Sequence, residues 1–236
     1  MPRRRLTIDV SGCLLQPEQY SEEAPFRWES LFGTERPVEI EIGSGKGLFL
    51  ASAGRARPEH NFLGIELSQK YAQLAAQRVL KSGLANVQVW PGDARPILAR
   101  RVPDASVRAV HVYFPDPWWK KRHKKRRVFS EELVSSVARV LEPGGVLHVA
   151  TDVQEYFGVI TALLAAEPLF REQPVPPVKE PEHDLDYLTN FERKFRLEGR
   201  EIYRASYSKQ REDEATAPVF SPGAVVSDLA GERKDG

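Results

Sequence analysis

The sequence predicts an α/β protein built on a mostly parallel, twisted sheet with helices on both faces. Short β-branched runs alternate with helical stretches of about 10–15 residues, the spacing of βαβ units. The 236 residues, 41% hydrophobic and 28% charged, suffice for one sizeable soluble core. Carboxylates recur where the strands end, at Glu41, Glu66, Asp93, Asp116 and Asp152. Sheets of this kind bind ligands outside the carboxyl ends of their strands, near the point where the strand order reverses.

Residues 1–36 read as an irregular N-terminal extension punctuated by Pro17 and Pro25. Within it, Phe26, Trp28, Leu31 and Phe32 are apolar enough to pack on a neighbouring surface through a short helix or turn. Val38–Ile42 (VEIEI) is the first strand, and it runs straight into a glycine loop and an apolar helical stretch, 48–53. Residues 60–67 form a second strand ending at Glu66. Ser68 then caps a helix over 69–82 whose inner face is Tyr71, Leu74, Ala75, Arg78 and Val79, with Gly83 as its stop. A third strand, 87–90, closes on Pro91-Gly92-Asp93, a weaker helix follows over 95–101, and the fourth strand is Val107–Tyr113.

Ser130 can cap a helix reaching Leu141, with Leu133, Val134, Val137, Ala138 and Leu141 as its buried stripe. Pro143-Gly144-Gly145 stops it, and 146–151 is a fifth strand ending at Asp152. The helix over 154–167 turns Phe157, Ile160, Leu163 and Leu164 inward. A proline-rich link, 174–181, leads to a helical segment at 188–195 and a closing strand at 201–207. The core domain is thus expected over 37–207, with a disordered tail from 208 to 236, where small polar residues show no period.

The net charge is only +1, so any polyanion site must come from placement rather than from the total. Residues 120–127 (KKRHKKRR) hold seven cations and His123, leaving the rest of the chain net acidic. A run of this kind is often no more than a solvated face. Here it directly follows 114–119 (FPDPWW), in which Asp116 stands between two prolines that restrict the backbone. The single cysteine, Cys13, excludes an internal disulfide and a cysteine-based zinc site and fits a reducing, cytoplasmic setting. No apolar run suggests a membrane span, and the basic N-terminus lacks the apolar stretch of a secretory signal.

In EIGSGKG (41–47), Gly43, Gly45 and Gly47 let the backbone turn tightly and approach a ligand. The loop is not a P-loop, and Leu48 stands where a dinucleotide fingerprint needs glycine. Glu66 lies at the distance from which a carboxylate takes up ribose hydroxyls. Asp93 could accept from an adenine amino group, or equally serve as a helix cap. Nothing here neutralises a pyrophosphate, so S-adenosylmethionine, with adenosine and no phosphates, fits best, its cationic groups favouring carboxylates such as Glu41.

EIGSGKG, FLGIE, GDA, FPDPWWKKRHKKRR and TNFERKF, in that order, resemble the bacterial tRNA (guanine-N7)-methyltransferases, from about Phe26 to Tyr207. The resemblance implies a Rossmann-like class I methyltransferase fold. It implies transfer of a methyl group from S-adenosylmethionine to N7 of a guanine in the variable loop of tRNA. It places Glu41, Gly43, Gly45, Glu66, Asp93 and Asp116 at the cofactor, with Asp116 as the catalytic residue. Lys120, Asp152, Thr189, Asn190, Phe191 and Glu192 would contact substrate, and Arg122, His123, Lys124, Lys125, Arg126 and Arg127 the RNA. The expected partner is tRNA, with no membrane and no metal, the chain acting as a monomer or homodimer. Trp119 stands where most members have proline, which loosens the backbone after Trp118. Competing readings are a methyltransferase for adenine N6 or guanine N2, an RNA-binding protein with a relic cofactor fold and, more distantly, a nicotinamide dehydrogenase.

Overall fold

The computed structural model describes residues 9–20, 24–118, 120–175 and 189–211. Its strands are β1 (Val38–Ile42), β2 (Asn61–Glu66), β3 (Val87–Pro91), β4 (Val107–Tyr113), β5 (Leu141–Thr151), β6 (Phe170–Gln173) and β7 (Tyr203–Lys209). They form one sheet in the order β3-β2-β1-β4-β5-β7-β6. β1 to β5 pair in parallel, whereas β7 runs antiparallel to both β5 and β6. The helices are α1 (Trp28–Phe32), α2 (Leu48–Ala56), α3 (Gln69–Lys81), α4 (Ala94–Arg100), α5 (Glu131–Val140), α6 (Gln154–Ala165) and α7 (Asn190–Leu197). Among the described residues no helix is long and apolar enough to cross a membrane.

Both faces of the central sheet are covered, so β1 and β2 are buried along their whole length. On one face Ile40, Ile42, Val110, Val112, Leu147 and Val149 pack with α1, α4, α5 and α6. On the other, α2 and α3 close over Phe62, Val87 and Val89. α3 turns inward Ala72, Ala75, Ala76 and Val79, so Ala75 and Val79 of the expected face are buried, whereas Tyr71 is 42% exposed and Leu74 and Arg78 are half-buried. Small alanines let this helix lie close to the glycine loop, as an ideal Cβ on Gly47 would fall 2.8 Å from that of Ala75.

The carboxylates of VEIEI do not mark a solvent face. Glu39 and Glu41 are each 3% exposed. Glu39 is held by Arg57 at 3.0 Å, His60 at 2.6 Å and His111 at 2.7 Å. Burial would push its carboxyl up, but the His111 hydrogen bond and charge, with Arg57 and His60, bring it down to about 2. Burial pushes His111 below its ordinary range while Glu39 pulls it up; its Nε2 lies 2.7 Å from Glu39 and its Nδ1 2.9 Å from the Tyr113 hydroxyl. His148 stacks on His111 at 5.1 Å and hydrogen-bonds Ser206. A polar row therefore crosses β1, β4, β5 and β7 inside the protein.

Several boundaries differ from expectation. Leu141 leaves the helix at once for an extended conformation, and β5 begins there, with a register shift against β4 between Val107 and Ala109. Gly145 presses on the carbonyls of Glu142, Val107 and Arg108, where a Cβ would find only 2.9–3.1 Å. β6 was not expected, and β7 continues through Ser208 and Lys209, past the expected start of the tail. These additions depend on each other, since among the described residues β6 pairs only with β7. Residues 13–15 join the β3 edge through a Leu14–Val89 bridge, and the Phe26 ring packs tilted against Trp90 at 5.0 Å, so this part of the N-terminal segment belongs to the core. The proline link and the tail fall mainly on 176–188 and 212–236, outside the described residues.

Candidate active site

β1 and β4 lie side by side while the chain departs from them in different directions, which opens the switch point at their carboxyl ends. The loop after β1 is left-handed at Gly43, Gly45 and Gly47, with φ of 77°, 53° and 69°. Only glycine takes these angles without strain. Gly43 and Gly45 also face open space. Glu66, at the end of β2, clasps this loop. Its Oε2 accepts from Gly45 N at 2.7 Å and its Oε1 from Ser68 N at 2.8 Å.

Glu41 sits at the foot of the loop, and its Oε2 is buried with no hydrogen-bond partner. Burial, and then the negative charge of Glu66, push its carboxyl well above the usual range. A buried acceptor left open beside a backbone that can be approached closely suits a cationic or amino group of a ligand. Ser44 Oγ, close by in sequence, is likewise buried and unpartnered. These features fit S-adenosylmethionine. Asp93 is the N-cap of α4, accepting from Arg95 N at 3.0 Å, and it is ion-paired with the Arg95 guanidinium at 2.5 Å. The Arg95 hydrogen bond holds Asp93 below its ordinary range.

β4 delivers the chain to Asp116, which is exposed between the half-buried Pro115 and Pro117. The flanking residues Phe114 and Trp118 both have positive φ, 52° and 41°. Non-glycine residues in this region are strained and persist where their surroundings hold them. Trp119 lies outside the described residues. The basic run is not a loose coil: Lys121–Arg126 forms a 3₁₀ helix, opened by His123 N donating to Lys120 O at 2.7 Å. Lys120, Arg122, Lys125 and Arg126 are exposed, and His123 and Arg127 are half-buried. Arg126 lies over the Trp118 ring at 5.1 Å, and His123 meets that ring edge-on at 5.6 Å. Between α4 and α5 a cleft of 610 Å³ is lined in part by Asp93, Arg95, Arg100, Lys125 and Arg127. Arg95 also donates to Lys125 O at 3.3 Å, joining Asp93 to the run.

α7 lies against the loop after β4. Phe195 is 5.4 Å and Phe191 6.3 Å from Phe114, and Phe191 is 52% exposed. Thr189 caps α7, its Oγ1 accepting from Glu192 N at 3.0 Å, and Asn190 is the first residue of the helix. Glu192 is 2% exposed and ion-paired with Arg204 at 2.6 Å. Asp152, just past β5, pairs with Arg200, whose guanidinium lies 4.3 Å from the Phe195 ring. The structure thus gathers the glycine loop, Glu41 and Glu66 into one group, and Asp93, Arg95 and the basic run into another. A third group joins Phe114, α7 and Asp152. The side chain of Lys124 is outside what is described.

Sequence reasoning missed Arg95, Tyr156 and the partners of Glu39. Tyr156 is 1% exposed, and its i, i+4, i+8 spacing with Ile160 and Leu164 was a usable signal. Arg95 carried no signal beyond lying two residues after Asp93.

A family model described as "Putative methyltransferase" matches residues 35–205. A protein of Rhodopirellula baltica named tRNA (guanine-N(7)-)-methyltransferase is 44% identical over 221 residues, covering 89% of this chain and 81% of the relative. A Hydrogenovibrio crunogenus protein of the same name is 38% identical over 173 residues, covering 73% and 72%. Among solved structures, the 16S rRNA methyltransferase KamB superposes with a TM-score of 0.55 at 17% identity, over 78% of this chain and 93% of that one. The aminoglycoside resistance methyltransferase NpmB1 gives 0.52 at 19%, over 77% and 91%. These two likenesses show the fold alone.

Proposed function

The chain belongs to the tRNA (guanine-N(7)-)-methyltransferase family, and from that premise we infer that it methylates N7 of a guanine in the variable loop of tRNA, using S-adenosylmethionine. The observation that carries this reading is the buried, unpartnered Glu41 oxygen at the foot of a left-handed glycine loop. When bound, S-adenosylmethionine would supply a methyl group on a cationic sulfonium; the proton-free lone pair of guanine N7 can take that methyl without a base, the S–CH3 bond breaking and the neutral thioether S-adenosylhomocysteine leaving. Glu41 would face the cofactor's cationic end, Glu66 its ribose and Asp93 its adenine, Gly43 and Gly45 permitting close approach.

Asp116 would position the guanine rather than abstract a proton, its two oxygens accepting from N1–H and the N2 amino group. Its negative charge would also stabilise the cation that develops on the base. Lys120, Asp152 and the start of α7 at Thr189, Asn190, Phe191 and Glu192 would shape the substrate side, and the exposed cations of the run would meet RNA phosphates. No metal or membrane enters this scheme. A tRNA substrate and a lone buried thiol, Cys13, pushed up to about 12 by burial, fit a cytoplasmic protein, and we propose that it acts as a monomer or homodimer.

The test is incubation with labelled S-adenosylmethionine and unmodified tRNA, followed by identification of the product nucleoside. We expect 7-methylguanosine. An N2-methylguanosine or N6-methyladenosine product would move the activity to the amino-methyltransferases, and no product would refute the reading.

A further inference from the structure

We propose that Arg127, the last cation of the basic run, is a positioning residue that locks the Asp116 loop to the protein core, and is not a phosphate ligand. The inference rests on the proposed methyl transfer only for its kinetic consequence. Its structural content stands apart from that reading.

Within the run, Lys120, Arg122, Lys125 and Arg126 are exposed, whereas Arg127 is half-buried. Arg127 Nε donates to the carbonyl of Pro117, the residue after Asp116, at 2.7 Å. On its other side the guanidinium lies 4.8 Å from the centroid of the Tyr156 ring. Tyr156 is 1% exposed and fixed in α6 among the residues of the main core. Arg127 therefore spans from a rigid helix to the loop that carries Asp116. Burial raises the Tyr156 hydroxyl, the Arg127 cation opposes that rise and the Asp116 carboxylate adds to it.

The loop needs such a hold. Pro115 and Pro117 have no N–H, so within this stretch few backbone groups can be tied to the protein. Phe114 N is tied to Ala150 O at 2.7 Å on the strand side. On the far side the Arg127 bond supplies the matching anchor; between the two lie Asp116 and the left-handed Phe114, and the left-handed Trp118 follows directly. A planar guanidinium can donate along its edge and stack through its face together. An ammonium cannot do both.

Three measurements separate the roles. The first is the slope of log affinity for tRNA against log salt, for Arg127→Ala, Arg127→Lys and Arg126→Ala. We expect Arg126→Ala to lower the slope by about one and Arg127→Ala to leave it unchanged. The second is steady-state kinetics. Arg127→Ala should lower kcat by roughly 10-fold or more with little change in KM for tRNA, since small misplacements of reacting groups are costly. Arg127→Lys should not rescue it, whereas Tyr156→Phe, which keeps the ring, should stay close to wild type. The third is hydrogen exchange of a peptide spanning 112–118, in which the Phe114 amide, bonded to Ala150 O, should lose protection in Arg127→Ala. Calorimetric binding of S-adenosylhomocysteine serves as the control for an intact cofactor pocket. A slope lowered by one with kcat unchanged, or rescue by lysine, would overturn the proposal, as would unaltered exchange. Exchange also decides it should the wild type methylate no tRNA, an outcome that sinks only the functional reading.

Discussion

Replacing Glu66 by alanine removes two backbone clamps at once. Its carboxylate is 8% exposed and accepts from Gly45 N at 2.7 Å and from Ser68 N at 2.8 Å. Hydrogen bonds to a charged acceptor contribute about 1.5–3 kcal/mol each. Gly45 is only half-buried, so water replaces part of what is lost, and about 3 kcal/mol in total is the reasoned cost. For a chain of this size that lowers Tm by about 6–12 °C. If Glu66 also holds the cofactor ribose, affinity for S-adenosylhomocysteine falls by a further 10- to 100-fold, roughly 1.5–3 kcal/mol. Glu66→Gln is the sharper variant. It keeps the volume and one acceptor but turns an NH2 toward a backbone N–H, so its Tm should fall with that of the alanine variant. Scanning calorimetry and titration calorimetry on the three proteins give both numbers. A glutamine variant that melts like wild type would refute the clamp, and unchanged affinity in the alanine variant would remove Glu66 from the cofactor site.

Gly47→Ala should be strongly destabilising, by about 2–5 kcal/mol in urea titration, because a left-handed alanine is strained and its Cβ would lie 2.8 Å from that of Ala75. Gly45→Ala meets nothing within 4 Å and should cost only the conformational strain, about 1–2 kcal/mol, so equal losses in the two would show that packing on α3 is irrelevant. Asp116→Asn should fold normally and bind cofactor but lose on the order of 10²-fold in kcat; a wild-type rate rising with pH through a single ionisation would instead require a general base. His148 should make the protein acid-sensitive, since burial first, and then the neighbouring His111, hold it down to about 4 from an ordinary 6.5. The folded state excludes a proton that the unfolded chain accepts, so this stability is complete above pH 6.5 and lost as pH falls toward 4, to about 3 kcal/mol at most. His148→Phe should flatten the urea midpoint over that window, and an unchanged slope would show that His148 does not titrate there.

Local chemistry made much of this molecule readable in one dimension. β1 and β4 begin and end where their β-branched runs do, and Ser68 and Ser130 cap the helices they precede. Gly43, Gly45 and Gly47 are glycines because that turn is left-handed three times in five residues, a demand met within the loop itself. The carboxylates at the strand ends were visible for the same reason, since strand–loop boundaries are set by neighbouring residues. Residues whose roles depend on partners far along the chain were not visible. Glu39 looked like half of an alternating strand until His111, 72 residues away, met it under α2. Asp93 turned out to be tied to Arg95, and through it to Lys125, because α4 brings the basic run alongside.

Composition and periodicity by themselves determined a mostly parallel α/β sheet with carboxylates where its strands end, because hydrophobic period and turn chemistry are properties of adjacent residues. Only the tertiary structure decided that β6 exists, that β7 reverses direction, and that Arg126 and Arg127, neighbours of the same chemical type, face different things. Arg126 lies over the Trp118 ring and is exposed, while Arg127 reaches the Pro117 carbonyl and the Tyr156 ring. The free energy that separates them comes from contacts across the fold, and such contacts leave no trace in the order of the residues.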